Sequence, residues 1–436
     1  MKKNIISLAA LLIASATFVA CSSDDNIIEE QPVQPTEQVY TMTGNAQKGG
    51  DAATTRALSL SGSTLNATWT AGDAVEVWTS DGTTTKYGTL TAETSGASTK
   101  LKGTLSSLPG NGQSLLLKYL SPAYATQDGT LTGSASSIDR VCDYATATVT
   151  ATVVGSSVTA TDANFVNQQA IVKFTLKNKA DDEALSVNKL FVTAGGTTCE
   201  VTPGGSTSEL YVAVPAVASG RVTLTALSGS TYYDYVKTGV TLAQSQYYAI
   251  GASLTEVKDI DYAKLASLGR VVATDRKMYA SVESAANAGT TAFAVIAQAE
   301  SSWPGYEFTA IAISDESSRM KWSDAEYACE NKTPKFNGLN GGWLFPTIEY
   351  WQAMFAANGE NSESWTGLNA LITKAGGTPL RDDGSSDLAT YWTATDDPSN
   401  SYYKCKMGCR SDGSVFFGTG NYPTNEYYVR AFFWWN

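Results

Sequence analysis

Histidine is absent from all 436 residues. That omission removes Ser-His-Asp and Cys-His catalysis and every imidazole metal site, because each depends on a ring nitrogen that titrates near neutrality. Positive charge is also scarce. Thirty Lys and Arg against 42 Asp and Glu leave a net charge of −12, the wrong sign for a nucleic-acid partner. Beyond the first twenty residues no apolar run reaches the roughly 20 residues that a bilayer-spanning helix requires. None of the six cysteines falls in a CxxC pair, so zinc and dithiol redox chemistry lack their usual spacing. Ser318-Arg319-Met320-Lys321 has the Ser-x-x-Lys form without the Ser-Asp-Asn element that accompanies it in β-lactamase-like enzymes, and reads as chance. Gly110-Asn111-Gly112 and Gly418-Thr419-Gly420 lack the strand-to-helix setting of a phosphate loop and read as turns.

What is present starts with a leader. Lys2 and Lys3 precede an apolar stretch over residues 5–16, and small Ala20 stands just before Cys21. This predicts a signal peptide over residues 1–20, cleaved before Cys21, with the mature chain held to the membrane by lipid on that cysteine. Ser22-Ser23-Asp24-Asp25 and Glu29-Glu30 resemble the acidic export tag that carries lipoproteins of some Gram-negative anaerobes to the outer face of the outer membrane. A solvated acidic linker is the alternative. The remaining cysteines, Cys142, Cys199, Cys329, Cys405 and Cys409, are odd in number and read mainly as small buried hydrophobes. If any pair bridges, Cys405 and Cys409 are expected to, across a turn at Met407-Gly408.

The length suggests about three domains at roughly 100–200 residues each. Residues 21–38 are acidic, polar and interrupted by Pro32 and Pro35, a tether too poor in apolar surface to fold. From residue 39 the chain turns to Thr, Ser, Val, Tyr and Gly in short alternating runs at 74–78, 147–154, 210–214 and 222–227, parted by turn sequences such as Asp81-Gly82 and Asp128-Gly129. That pattern predicts antiparallel β-sandwiches. Near residue 256 it gives way to mixed α+β, with Asp259-Ile260-Asp261-Tyr262 as a charged joint. Helices are expected at 281–288, at 322–330 with Ser323 as N-cap, and after Pro346 with Thr347 as N-cap and Ile348, Trp351 and Phe355 on one face. The apolar residues 429–435 predict a strand that ends inside a core.

Two sets of residues carry resemblances. Thr54-Thr55-Arg56-Ala57, Trp69-Thr70-Ala71-Gly72-Asp73 and Phe165-Val166-Asn167-Gln168-Gln169-Ala170 are similar to the fimbrillin (type V pilin) family over residues 39–256. The resemblance implies two tandem transthyretin-like β-sandwiches, here 57–160 and 161–256, the second opening near Phe165. It also implies that a first strand near residues 39–46 is removed by a trypsin-like protease after Arg56, leaving Ala57 as the new N-terminus and a groove that a strand from another subunit fills. Lys48 is a competing cleavage site. Over residues 257–436, Trp322-Ser323-Asp324-Ala325-Glu326-Tyr327, Trp343-Leu344-Phe345-Pro346-Thr347, Tyr391-Trp392-Thr393 and Val429-Arg430-Ala431-Phe432 look like a C-type-lectin-like domain of the kind shared with formylglycine-generating-enzyme-like proteins. Those are scaffold motifs, and the calcium and sugar elements of true lectins are absent. The expected fold class is mainly β: two transthyretin-like sandwiches followed by an α+β domain.

The candidate ligand-binding residues are aromatic rings in polar loop contexts, Trp303, Tyr306, Trp365 and Tyr422, each suited to stacking on a sugar or anchoring a protein. Asp382, Asp383 and Asp387 form an acidic loop that could offer oxygen ligands to calcium or be a solvated turn. No other cofactor is expected. Paired carboxylates for glycoside hydrolysis need spatial and not sequential proximity, so that chemistry stays open, although the overall reading is non-catalytic. The expected function is a surface adhesin, the tip or accessory subunit of a pilus. Its partners would be other pilin subunits through donor-strand exchange, a glycan or surface protein as target, and the outer membrane through Cys21 before processing. The alternative is a monomeric, glycan-binding surface lipoprotein of a saccharide-uptake system.

Overall fold

The computed structural model describes residues 39–48, 59–61, 64–120, 124, 126–299, 308–316, 318–335, 341–359, 361–382 and 389–435. Cys21, Arg56, Ala57, Trp303, Tyr306, Asp383 and Asp387 lie outside them. The chain is mainly β. Its N-terminal part holds β1 (Tyr40–Lys48), β2 (Ser59–Ser61), β3 (Thr64–Asn66), β4 (Ala74–Thr79), β5 (Lys86–Ala92), β6 (Ser98–Leu105), β7 (Ser114–Tyr119), β8 (Thr126–Gln127), α1 (Ile138–Val141), β9 (Ala145–Val154), β10 (Ser157–Ala160) and β11 (Ala163–Asn167). β2 and β3 pair only with each other, and β8 joins a later sheet. The other eight run β10-β1-β11-β9-β7-β4-β5-β6, and because β1 also pairs with β6 the sheet closes on itself.

Alternation builds this closed sheet. On β7 and β9 the residues Leu115, Leu117, Tyr119, Ala147 and Val149 point inward, and the intervening positions stay wet. Trp69 is fully buried at the centre, its ring meeting Tyr119 at 5.5 Å and Phe165 at 5.0 Å in edge-on contacts. The turn after Trp69 fixes it there. Thr70 N–H donates to the Asp73 carboxylate at 2.8 Å, Asp73 N–H returns to Thr70 O at 2.9 Å, and Gly72 takes a φ of +96° that a side chain would resist. Phe165 and the rest of β11 complete this first sheet, so the second begins at Gln169 and not at 161–165 as expected.

The second sheet runs Glu209–Pro215, Gln169–Asn178, Tyr247–Glu256, Thr231–Leu242, Val217–Ser228, Lys189–Ala194, Thr197–Val201 and β8. β8 is stitched in by Gln127, which is 1% exposed and exchanges two 2.8 Å hydrogen bonds with the Ala213 backbone. Sheet two passes directly into the C-terminal module. Asp234, on the strand Thr231–Leu242, accepts from Arg270 at 2.8 Å and from Ala280 N–H at 2.6 Å, while Arg221 pairs with Glu283 and donates to Thr373 O at 2.9 Å. The expected charged joint at residues 259–262 instead stays at the surface, where exposed Asp261 pairs with Arg276 at 3.1 Å, and the ionic seam is built from other residues, with α2 (Val282–Asn287) laid against the strand Val217–Ser228.

The C-terminal module has a seven-stranded sheet in the order Lys258–Asp259, Lys277–Tyr279, Val271–Ala273, Ala292–Ala299, Phe308–Ala312, Phe432–Trp435 and Gly341–Leu344. α3 (Trp322–Glu330), α4 (Ile348–Asn358), α5 (Thr366–Ala375) and a three-stranded sheet, Thr390–Asp396, Lys404–Cys409 and Val415–Asn421, complete it. Thr347 caps α4 as expected, accepting from Tyr350 N–H at 3.3 Å. α3 instead starts after Lys321 with no side-chain cap, so Ser323 lies inside its first turn. Arg430 is 1% exposed and is the polar hub of this core: it pairs with Asp315 at 2.6 Å and donates to the carbonyls of Ala312 and Thr378, and Asp315 also takes Arg381 at 2.9 Å.

Cys405 and Cys409 are corrected here. Both are free thiols on one continuous strand, with no turn at Met407-Gly408. Four residues of strand separate their Cα atoms by about 13 Å, twice the reach of a disulfide. Cys142, Cys199 and Cys329 are buried.

Candidate functional site

The first candidate site is the seam that β1 fills. β1 runs antiparallel to β6 from Tyr40↔Leu105 to Gln47↔Ser98, and parallel to β10 and then β11 on its other side. Both edges of β1 are therefore hydrogen-bonded, and among the described residues no other strand closes the sheet. Its inward residues are Met42 and Ala46, both 0% exposed, and Lys48 at 2%. Lys48 is unusual for such a position. Its ammonium lies 3.2 Å from the Asp143 carboxylate, 3.2 Å from the centroid of the Tyr119 ring and 4.5 Å from that of Trp69. Burying a lysine is tolerable only with such compensation, and removing one partner of a buried pair costs about 3–5 kcal/mol. The same enclosure removes Lys48 as a protease site in the folded chain.

A second candidate site is a cluster of tyrosines on the C-terminal module. Tyr402 and Tyr422 are 61% and 52% exposed, and with half-buried Tyr403 they form a triad of edge-on rings whose centroids lie 5.2–6.5 Å apart. Asp397 holds the two parts of the triad together. Its carboxylate accepts from Ser399 Oγ at 2.6 Å and Ser399 N–H at 2.8 Å, and from Gly420 N–H at 2.7 Å on the neighbouring strand, two residues before Tyr422. Those hydrogen bonds, the Ser399 hydroxyl first, depress the Asp397 carboxyl below its ordinary range. The Tyr403 phenol is raised, first by its hydrogen bond with Tyr422. Asn421 braces the hairpin by donating to the carbonyls of Lys404, Gly418 and Thr419, each at 3.2 Å.

The other expected residues separate. Trp365 is not an exposed ring: it is 7% exposed, sits at the start of α5, and its indole donates to Arg410 O at 2.9 Å, so it is core. Asp382 is exposed at the edge of the described residues. Among the described residues no group of three His, Cys, Asp or Glu is placed to hold a metal. Tyr402, which sequence reasoning left undistinguished, joins Tyr422 because the turn 397–403 and the strand end at 421 meet only in three dimensions; the Tyr402-Tyr403 pair in a Ser/Asn-rich turn was the available signal. An open cleft of about 760 Å³ also lies along the seam of sheet two and the C-terminal module, with Lys179, Lys258, Lys264 and Lys374 among its lining. The buried thiols are chemically quiet, since burial pushes Cys142, Cys199, Cys329 and Cys409 up to about 12.

No family model matches the chain, and no curated protein matches it. Among solved structures, a fimbrial protein from Bacteroides ovatus is 11% identical, covers 92% of this chain and 100% of its own length, and has a TM-score of 0.26. A fimbrial assembly protein from Parabacteroides distasonis is 14% identical over 49% of this chain and 91% of its own, with a TM-score of 0.26. A shaft pilin from Lactobacillus rhamnosus is 9% identical over 50% of this chain and 98% of its own, with a TM-score of 0.22. Likeness of that size carries no argument about what this chain does.

Proposed function

We propose that this protein is a non-catalytic cell-surface adhesin, a tip or accessory subunit of a pilus assembled by protease-triggered strand exchange. The observation that carries the reading is the place of β1, which among the described residues alone closes the first sheet and is followed by the stretch containing Arg56. Cutting that stretch makes β1 a separate piece held by hydrogen bonds and the inward side chains of Met42, Ala46 and Lys48. Its loss leaves two open strand edges, β6 on one side and β10 with β11 on the other, along an apolar groove. The strand Phe432–Trp435 is bonded on both edges and is not free to donate in return. The tyrosine triad is the proposed recognition surface, its rings suited to stacking on a sugar or seating in a protein pocket. Before processing, lipid on Cys21 would hold the precursor at the outer membrane.

Treating the purified precursor with a trypsin-like protease tests this. The expected product is a stable chain beginning at Ala57; a product that keeps β1, or none that is stable, counts against assembly. One observation favours the second reading, a monomeric glycan-binding lipoprotein: in the intact chain β1 already fills its own groove. Sequencing the N-terminus of the protein on intact cells separates the two, Cys21 for the monomer and Ala57 for the pilus subunit.

A further inference from the structure

Resting on the strand-exchange reading, we propose that the groove under β1 carries a selectivity pocket for a basic residue. The Asp143 carboxylate takes Lys48 in the intact chain, whose ammonium also lies over the Trp69 and Tyr119 rings, and it demands lysine or arginine at the same register from any strand that replaces β1. The other inward positions select weakly. Met42 and Ala46 need only be apolar and small, and Gly44 lies so near β10 that an added Cβ would sit 3.1 Å from the Ala160 Cβ. Many strands of alternating small residues satisfy that pattern. The fourth position does not follow it.

Lys48 stands opposite Phe165 on β11, in a ring of buried aromatics, where backbone pairing has no use for a charge. The charge it answers is fixed in the acceptor. Asp143 is 5% exposed, directly follows buried Cys142, and stays behind when β1 departs. A replacement strand with an apolar residue here would remove the ammonium that lies 3.2 Å from this buried carboxylate. A slip of one residue would turn exposed Gln47 inward, and a slip of two would offer Ala46, so the pocket sets register as well as identity. The partner is thereby defined by chemistry: an extended segment reading apolar-x-Gly-x-small-x-Lys or Arg.

The test uses the full mature chain with a specific protease site inserted after Arg56, cut so that β1 is held non-covalently. Fluorescent peptides copying residues 39–48 are added, either unchanged or carrying Gln47→Ala, Lys48→Arg or Lys48→Met, and exchange is followed by anisotropy. The unchanged and Gln47→Ala peptides should bind alike, since Gln47 is exposed. Lys48→Arg should stay within about tenfold, and Lys48→Met should weaken by at least about 100-fold. On protein carrying Asp143→Leu, or Asp143→Asn should the first not fold, the preference should disappear or invert. Equal binding of the lysine and methionine peptides to wild-type protein overturns the pocket while leaving strand exchange intact. Failure of every peptide, the unchanged one included, overturns strand exchange and the pocket with it.

Discussion

Asp234 illustrates how a single buried group can hold two parts of this chain together. It is 1% exposed, and burial pushes its carboxyl above the ordinary range even with Arg270 at 2.8 Å. Asp234→Ala would leave the Arg270 guanidinium facing the seam without a counter-charge, and a loss of about 3–5 kcal/mol is expected in urea unfolding. Asp397 gives a pH-dependent case of opposite sign. Its folded pKa is depressed, so its contribution is complete above the ordinary carboxylate value of about 3.9 and is lost as pH falls through the lower folded value. The melting temperature of Asp397→Asn should therefore lie below wild type by a constant gap near neutrality, and the gap should close on acidification below about pH 4. A gap unchanged at pH 2 would mean that the carboxylate is not what holds the turn. Neither residue could be singled out in the sequence. Asp234 finds Arg270 and Ala280 at separations of 36 and 46 residues, and an acid in a Tyr-rich strand looks like any solvated one until those partners are placed.

Among the elements, legibility follows the range of the forces that form them. β7 and β9 were readable because their alternation is written residue by residue, and α4 because Thr347 caps it three residues from its partner. β8 was not, since two residues carry no period and the two 2.8 Å hydrogen bonds that hold Gln127 come from Ala213, 86 residues on. β1 stands between these cases. Its extent at Tyr40–Lys48 agrees with the strand expected near 39–46, yet the inward lysine breaks the apolar pattern, and in sequence it is only a cleavage site competing with Arg56. Gly44 offers a test of β1 as an element. Its side-chain position faces Ala160 at 3.1 Å, so Gly44→Leu must push β1 away from β10, an overpacking cost of about 1–3 kcal/mol. In the cut protein the altered strand should dissociate faster than the unaltered one, measured by gel filtration of the labelled fragment. An unchanged rate would show that the β10 edge does not retain it.

At the scale of the whole molecule, the closed first sheet and the tyrosine triad sit at different places in one compact unit, Tyr40–Asn436, joined through the Asp234 and Arg221 seam. Two substitutions in the C-terminal module separate recognition from stability. Trp365 and Tyr422 looked equivalent in sequence, aromatic rings among polar neighbours. The fold makes them opposites, because Trp365 closes onto Arg410 O under α5 whereas Tyr422 stands half exposed beside Tyr402. Trp365→Ala is expected to cost about 3–5 kcal/mol of stability, as a large ring leaves a cavity in the core. Tyr402→Ala combined with Tyr422→Ala should leave the melting temperature nearly unchanged, since exposed rings contribute little to folding. If the triad meets the target, the double variant of the full mature chain should lose at least tenfold of its retention on a glycan array or on target cells, at an unaltered circular-dichroism spectrum. Retention equal to wild type would move recognition off the triad, and the lysine-lined cleft along the seam would then be the next surface to alter.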